Sequence, residues 1–529
     1  MSTFPLDPIY QMIYSFHEDF ALWVLIFAVI FGFLLSFVVG ANDSANSWGT
    51  PVGAGTVSFR VAVLLGFVAE ILGAMFLSAG VVNGIAGSKS VVKVSEYRSD
   101  NETEWGNFMN GNGTMYLEGE RALMLGMLSS MLASQIWQLA ATYLSWPVSG
   151  THAIISSLVG FTLVERGWDG INVGEANPFC ASGIYKVLYG LFISSFFALF
   201  IGLAMYYAIY SLAITTGRPR SLRNKLTYTG LVFFLFMVLG FNLSTAKSIE
   251  PPTLVTSESC LNPNKPLFGF LVGLATGLCA AVPFHFLLLD MLLNASKDFR
   301  LSLGRFEEKI DEDENKREVI TMHKMDSRNN VTEVQIDQEE TEFHEDQEIK
   351  NVFRPLQVIA AFFAALNHGG NDVGNCIGPL VTIYFIYKQP LTFDTSQDNM
   401  LLMAWGGLGI GVGLLMFGKR VIMTMGTKIT PMTPSLGFIV VVSASLVVMM
   451  CTFLGIPTST THCQVMALVG GGIARGWIDT QSLRGGLGTV DMKVFRNIAL
   501  SWVCTIPGAL AISAGLYAAL RVAIIGPFS

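Results

Sequence analysis

Two short polar motifs each occur twice in this chain, in the same order, inside sequence that is otherwise strongly apolar. Gly40-Ala-Asn42-Asp43-Ser-Ala-Asn46-Ser-Trp-Gly49 aligns with Gly369-Gly-Asn371-Asp372-Val-Gly-Asn375-Cys-Ile-Gly378. Pro147-Val-Ser149-Gly-Thr151-His152 aligns with Pro457-Thr-Ser459-Thr-Thr461-His462. The Asn42–His152 separation is 110 residues and the Asn371–His462 separation is 91. A longer first loop, over 83–120, accounts for the difference. Ordered repetition of this kind means two copies of one structural unit. Each copy places an Asp and two Asn beside apolar runs, where polar groups are costly and mark function.

The rest of the composition says what surrounds the motifs. Of 529 residues, 52% are hydrophobic and 13% charged. Soluble proteins carry about 25% charged residues, so a soluble enzyme is excluded, and the acidic balance speaks against nucleic-acid binding. A crossing needs about 20 apolar residues. Candidate spans fall near 20–40, 59–82, 121–145, 149–165, 183–213, 227–246, 267–293, 356–387, 399–418, 436–455, 457–474 and 495–522. The expected fold is an all-α polytopic membrane protein of about twelve transmembrane helices. The runs 149–165 and 457–474 are short and rich in Ser, Thr, His and Gly, so they read as full crossings or as re-entrant segments.

Lys and Arg in short loops set the orientation. They cluster in 214–226, 419–435 and 475–494, which places these loops in the cytoplasm and both termini, 1–19 and 523–529, outside. The halves 20–297 and 353–522 then run in opposite senses. That is an inverted-topology repeat, the architecture of secondary transporters, whose substrates bind between the halves at broken helices. The outer loop 83–120 carries two glycosylation sequons, at Asn101 and Asn112. Between Asp298 and Lys350 the net charge is −9, and the rest of the chain sums to +2. Residues 298–352 therefore read as a disordered acidic cytoplasmic loop. No basic start precedes the first apolar run, so no cleaved signal peptide is expected. Of the seven cysteines, Cys180 and Cys260 lie in polar loops and could pair if both loops face outside. The others read as packing residues.

The motif chemistry fits ions. Gly-Ala-Asn-Asp and Gly-Gly-Asn-Asp combine poor helix formers with capping residues and are expected to break their helices. Pro147 and Pro457 sit where new helices would begin. Asp43, Asp372, Asn46 and Asn375 offer hard oxygen ligands suited to Na+. Ser149, Thr151, Ser459, Thr460 and Thr461 offer hydroxyl donors to an oxyanion, with bonding to their own helix backbone as the alternative. His152 and His462 are packing, anion-donor or proton-linked groups. The predicted membrane cores hold almost no Lys or Arg, so an anion there needs co-transported cations. No nucleophile–base–orienter set and no nucleotide motif accompanies the spans, which argues against an enzyme or a primary pump.

At these residues the chain resembles the inorganic phosphate transporter (PiT) family, sodium- or proton-coupled phosphate symporters. The resemblance rests on Gly40–Asn46, Gly369–Asn375, 147–152, 457–462 and the segment Thr430-Pro-Met-Thr433-Pro-Ser-Leu-Gly437-Phe438. It implies a plasma-membrane symporter in which Asn42, Asp43, Asn371 and Asp372 are motif residues, and in which phosphate is bound by the five hydroxyls together with Asn42 and Asn371. It also implies a coupling role for Glu70, no permanent cofactor, and a homodimer in the lipid bilayer. Animal members carry glutamates where this chain has Met127 and Val441, so H+ in place of Na+ remains open, as does another oxyanion such as sulfate. A phosphate sensor or receptor with little transport is the reading from another class.

Overall fold

The computed structural model describes residues 8–78, 81–82, 85, 90–93, 113–144, 146–174, 182–211, 225, 228–232, 236, 264–288, 347–388, 400–427, 429–430, 432–453, 456–480 and 488–526. The described residues are almost wholly helical: α1 (Pro8–Asp43), α2 (Ala45–Gly53), α3 (Phe59–Leu77), α4 (Gly113–Tyr143), α5 (Gly150–Arg166), α6 (Gly183–Leu188), α7 (Ser194–Ile209), α8 (Asn264–Pro283), α9 (Gln347–Lys388), α10 (Met400–Thr427), α11 (Pro434–Phe453), α12 (Thr460–Thr480) and α13 (Met492–Ile524). A π-helical turn, Tyr189–Ile193, joins α6 to α7. Val92 and Ile171 form an isolated β-bridge.

Eight helical stretches among the described residues are long and apolar enough to cross a membrane. Their outer faces carry exposed Leu64, Phe76, Phe196, Phe200, Leu500 and Val503, apolar surface that a bilayer would cover. The expected span 227–246 lies mostly outside the described residues, as do the sequons at Asn101 and Asn112, the cysteines Cys180 and Cys260, and loop residues 298–346. Residues 347–352, assigned to that loop from charge, instead form the first turns of α9. Cys279, Cys376, Cys451, Cys463 and Cys504 are free thiols.

Close backbone approach organises the packing. A Cβ on Gly40 would lie 1.9 Å from the carbonyl oxygen of Ile410, and one on Gly413 would lie 1.8 Å from that of Phe37, so α1 and α10 touch backbone to backbone. Likewise α3 and α9 meet at Gly73 against Leu366 and at Gly369 against Glu70. Small residues permit this where apolar burial adds little between membrane helices.

This packing corrects the expectation that both Asn-Asp motifs break their helices. In the first half the interruption is one residue: α1 ends at Asp43, α2 begins at Ala45, and Ser44 keeps helical angles of −63° and −15°. In the second half α9 runs unbroken through Gly369–Asn375. A Cβ on Gly369 would meet Glu70 O at 2.3 Å, and one on Gly370 would meet Leu77 Cβ at 2.5 Å. These glycines admit α3 rather than turning the chain.

The Pro motifs do break their helices. α4 and α5 form an antiparallel hairpin whose tip, 146–149, has no regular secondary structure, and α11 and α12 form another with its tip at 456–459. The helices therefore start at Gly150 and Thr460, after the prolines, and Ser149 is an N-cap whose Oγ accepts His152 N–H. α13 relates the two hairpins. α5 runs parallel to it, from Pro147 beside Trp502 to Glu165 beside Tyr517 and Arg521. α12 runs antiparallel to it, from His462 stacked on Trp502 to Gly472 beside Val490. The hairpins thus enter from opposite ends of α13 and meet tip to tip.

Candidate functional site

The tips exchange hydrogen bonds in matched pairs. Thr151 Oγ1 donates to Thr458 O at 3.0 Å, and Thr461 Oγ1 lies 3.1 Å from Val148 O. Asn375 Nδ2 donates to Thr151 Oγ1 at 2.8 Å, and Asn46 Nδ2 to Thr461 Oγ1 at 2.9 Å and Thr460 Oγ1 at 3.3 Å. Each Asn therefore grips the hairpin of the other half. Asn42 and Asn371 hold the tips. Asn42 donates to Trp146 O and accepts from Val148 N–H, while Asn371 donates to Thr458 O. A buried chain without secondary structure needs such side-chain partners for its backbone groups.

The carboxylates lie under the tips. Asp43 is 1% exposed and Asp372 2%. Asp43 accepts from Gly150 N–H, at the start of α5, and from Thr461 Oγ1. Asp372 accepts from Thr460 Oγ1 at 2.9 Å, at the start of α12, and from Asn375. The positive helix starts suit these anions.

His368 is a site residue that the motif reading misses. Its Nδ1 lies 2.8 Å from both carboxylate oxygens of Glu70, and its Nε2 lies 2.9 Å from Asp372 Oδ2. Glu70 also accepts from Ser44 Oγ at 3.3 Å. Ring and carboxylates are all buried. A ring with both nitrogens against carboxylates is satisfied when both carry protons. Doubly protonated, it would be a buried cation that counts of Lys and Arg overlook. One ligand atom each of Asp43, His368 and Asp372 lie within 4.8 Å of one another. Nearby oxygens are left unused: Asn371 Oδ1, Asn375 Oδ1 and Gln138 Oε1 are buried without a hydrogen-bond partner. Gln138 is the second residue missed. A Cβ on Gly150 would lie 3.2 Å from its Oε1 and 2.8 Å from Asp43 Oδ2, so both oxygens face one spot.

Beside the tips, the His152 and His462 rings meet at a 57° tilt with centroids 4.4 Å apart, and His462 stacks on Trp502 at 3.7 Å. Ser459 Oγ accepts from His462 N–H at 3.2 Å and lies 2.5 Å from His462 Nδ1. Apart from the two sequons, every site residue expected from sequence thus lies in or against one buried cluster. Met127 and Val441 are fully buried among apolar side chains.

Membrane-length helices around two hairpin tips that meet at buried carboxylates define the class: a polytopic integral membrane protein built for transport. A sequence model of the phosphate transporter family matches residues 39–513, and the chain belongs to that family. It is 27% identical to the sodium-dependent phosphate transporter 1-B of Danio rerio, with 95% of this chain and 96% of that protein covered. It is 28% identical to the chloroplastic inorganic phosphate transporter 2-1 of Arabidopsis thaliana, covering 90% of this chain and 69% of that protein. A solved structure described as the sodium-dependent phosphate transporter superposes with a TM-score of 0.69 at 27% identity, covering 94% of this chain and 99% of that one.

Proposed function

We propose that this protein is a secondary active symporter that carries inorganic phosphate across the plasma membrane with Na+. The observation that carries the reading is the tip-to-tip meeting of the two hairpins over Asp43 and Asp372. Phosphate binds between the tips through Ser149, Thr151, Ser459, Thr460 and Thr461, with Asn42 and Asn371 holding the backbone in shape. Na+ binds at Asp43, Asp372, Asn46 and Asn375. The unused oxygens of Asn371, Asn375 and Gln138 support this ligand set, because hard cations take several oxygen ligands. Glu70, through His368, links the cation site to α3, and His152 and His462 act at the tips. The hairpins' entry from opposite ends of α13 supports an inverted repeat working by alternating access. Residues 20–297 and 353–522 form its halves, with both termini, Asn101 and Asn112 outside, the acidic loop cytoplasmic and the protein a homodimer.

Proton coupling is the second reading. It is favoured by the apolar burial of Met127 and Val441, which leaves the Glu70–His368–Asp372 chain as the cluster's proton-bearing groups. Phosphate uptake into proteoliposomes under an imposed Na+ or H+ gradient separates the two, with sulfate as competitor. Uptake driven by Na+ and insensitive to sulfate is expected. Absence of phosphate uptake under either gradient refutes the transport reading.

A further inference from the structure

We propose that His462 is a positioning residue that aims the Ser459 hydroxyl at the transported anion, and that His152 does the same for Ser149 when the site faces the opposite side of the membrane. The inference deepens the transport reading and rests on it.

The two motifs place a histidine three residues after a serine in each half, at Ser149–His152 and Ser459–His462. Both serines cap their helices, each receiving a backbone N–H from its histidine at 3.2 Å. The rings differ. His462 Nδ1 is 2.5 Å from Ser459 Oγ, whereas His152 Nδ1 is buried with no hydrogen-bond partner. With its proton on Nδ1, His462 makes Ser459 Oγ accept twice. The one O–H of the serine is then left to donate, as an oxyanion requires. Ser149 accepts only once and has no such constraint.

Equivalent residues in unequal states are what alternating access between inverted halves produces, since the halves exchange environments as the site turns over. A buried ring nitrogen with no partner is costly to keep, and a second conformation that uses it explains why it is there. The three rings are also in contact in series, His152 tilted against His462 and His462 stacked on Trp502, and Trp502 Nε1 donates to Pro147 O at 3.2 Å. The series ties one hairpin tip to the ring of the other, so a shift between tips reaches both serine–histidine pairs.

The test is a set of double-mutant cycles on phosphate transport in proteoliposomes, measured inward and outward. Ser459→Ala is expected to raise KM for phosphate about ten-fold with kcat changed less, the effect of one hydrogen bond to a charged group. His462→Phe keeps the stack and should raise KM about as much alone, yet add less than about two-fold to Ser459→Ala. Ser149→Ala and His152→Phe should be coupled in the same way, although no side-chain bond joins them in this conformation. His152→Phe with Ser459→Ala should multiply. His462→Asn, whose amide can stand in for Nδ1–H, should restore most of the affinity, and it decides the point if the Phe variant does not fold. Independent effects within either serine–histidine pair, or no rescue by Asn, overturn the proposal. Loss of phosphate transport by the wild type would instead overturn the transport reading.

Discussion

Thr461, in the second half, donates its hydroxyl to Asp43 Oδ1, in the first half, at 3.1 Å. Asn46 of the first half binds the same hydroxyl. A carboxylate and a threonine 418 positions apart thus join the two copies of the motif. Any ion held by Asp43 is felt directly at the tip of the other hairpin, which is the coupling a symporter needs.

Asp43→Asn and Asp372→Asn should each lower Na+-driven phosphate uptake by at least about ten-fold, because each removes a charge and weakens hydrogen bonds from the facing hairpin. Uptake against Na+ concentration is the measurement. Full Na+-driven uptake in both variants would show the cations bind elsewhere.

His368→Gln should cost about 3–5 kcal/mol of stability, the usual loss when one member of a buried ion pair is removed. The double variant Glu70→Gln, His368→Gln should recover part of that loss, since Glu70 is then no longer a lone buried charge, with Asp372 the one carboxylate still lacking its partner. Thermal unfolding of detergent-purified protein reads both. Equal destabilisation by the single and double variants would mean the bridge carries no charge.

Thr151→Val removes one of the two donors to Thr458 O and leaves one Asn375 Nδ2 hydrogen without its acceptor, the other still going to Asp372. Unmet buried groups cost about 1–3 kcal/mol, and the expected readout is a raised KM for phosphate. Thr151→Ser keeps the hydroxyl and should stay near wild type. Similar KM values for Val and Ser would remove Thr151 from the binding set.

Gly413→Ala should destabilise by about 1–3 kcal/mol or more, because its methyl would meet Phe37 O at 1.8 Å. Gly515→Ala, on α13 with open space around it, should be neutral or add up to about 1 kcal/mol of helix stability. Unfolding midpoints of the pair check whether α1 and α10 pack as described.

The buried polar cluster was largely legible because intramembrane carboxylates are scarce and these two recur. His368 escaped the same logic: its counterpart in the alignment is Val39, so a search for what repeats passes over it. Its one sequence signal is its place four residues before Asp372, on the same face of a helix. Gln138 is hidden similarly, as one of two glutamines in the run of α4, three residues after Gln135. The helical character of Gly369–Asn375 was illegible for another reason. Glycine signals a turn or a close neighbour alike, and only the position of Glu70 on α3 distinguishes them.

The single-residue break at Ser44 has no counterpart in α9. Backbone N–H groups just after it make long bonds of 3.3 Å, from Ser47 and Trp48 to Ser44 O, whereas the matching stretch of α9 is continuous helix. One arm carries an interruption in its helix and the other does not. The motif thus recurs with its chemistry kept and its backbone course changed, and the same side chains are presented from a jointed segment on one side and from continuous helix on the other.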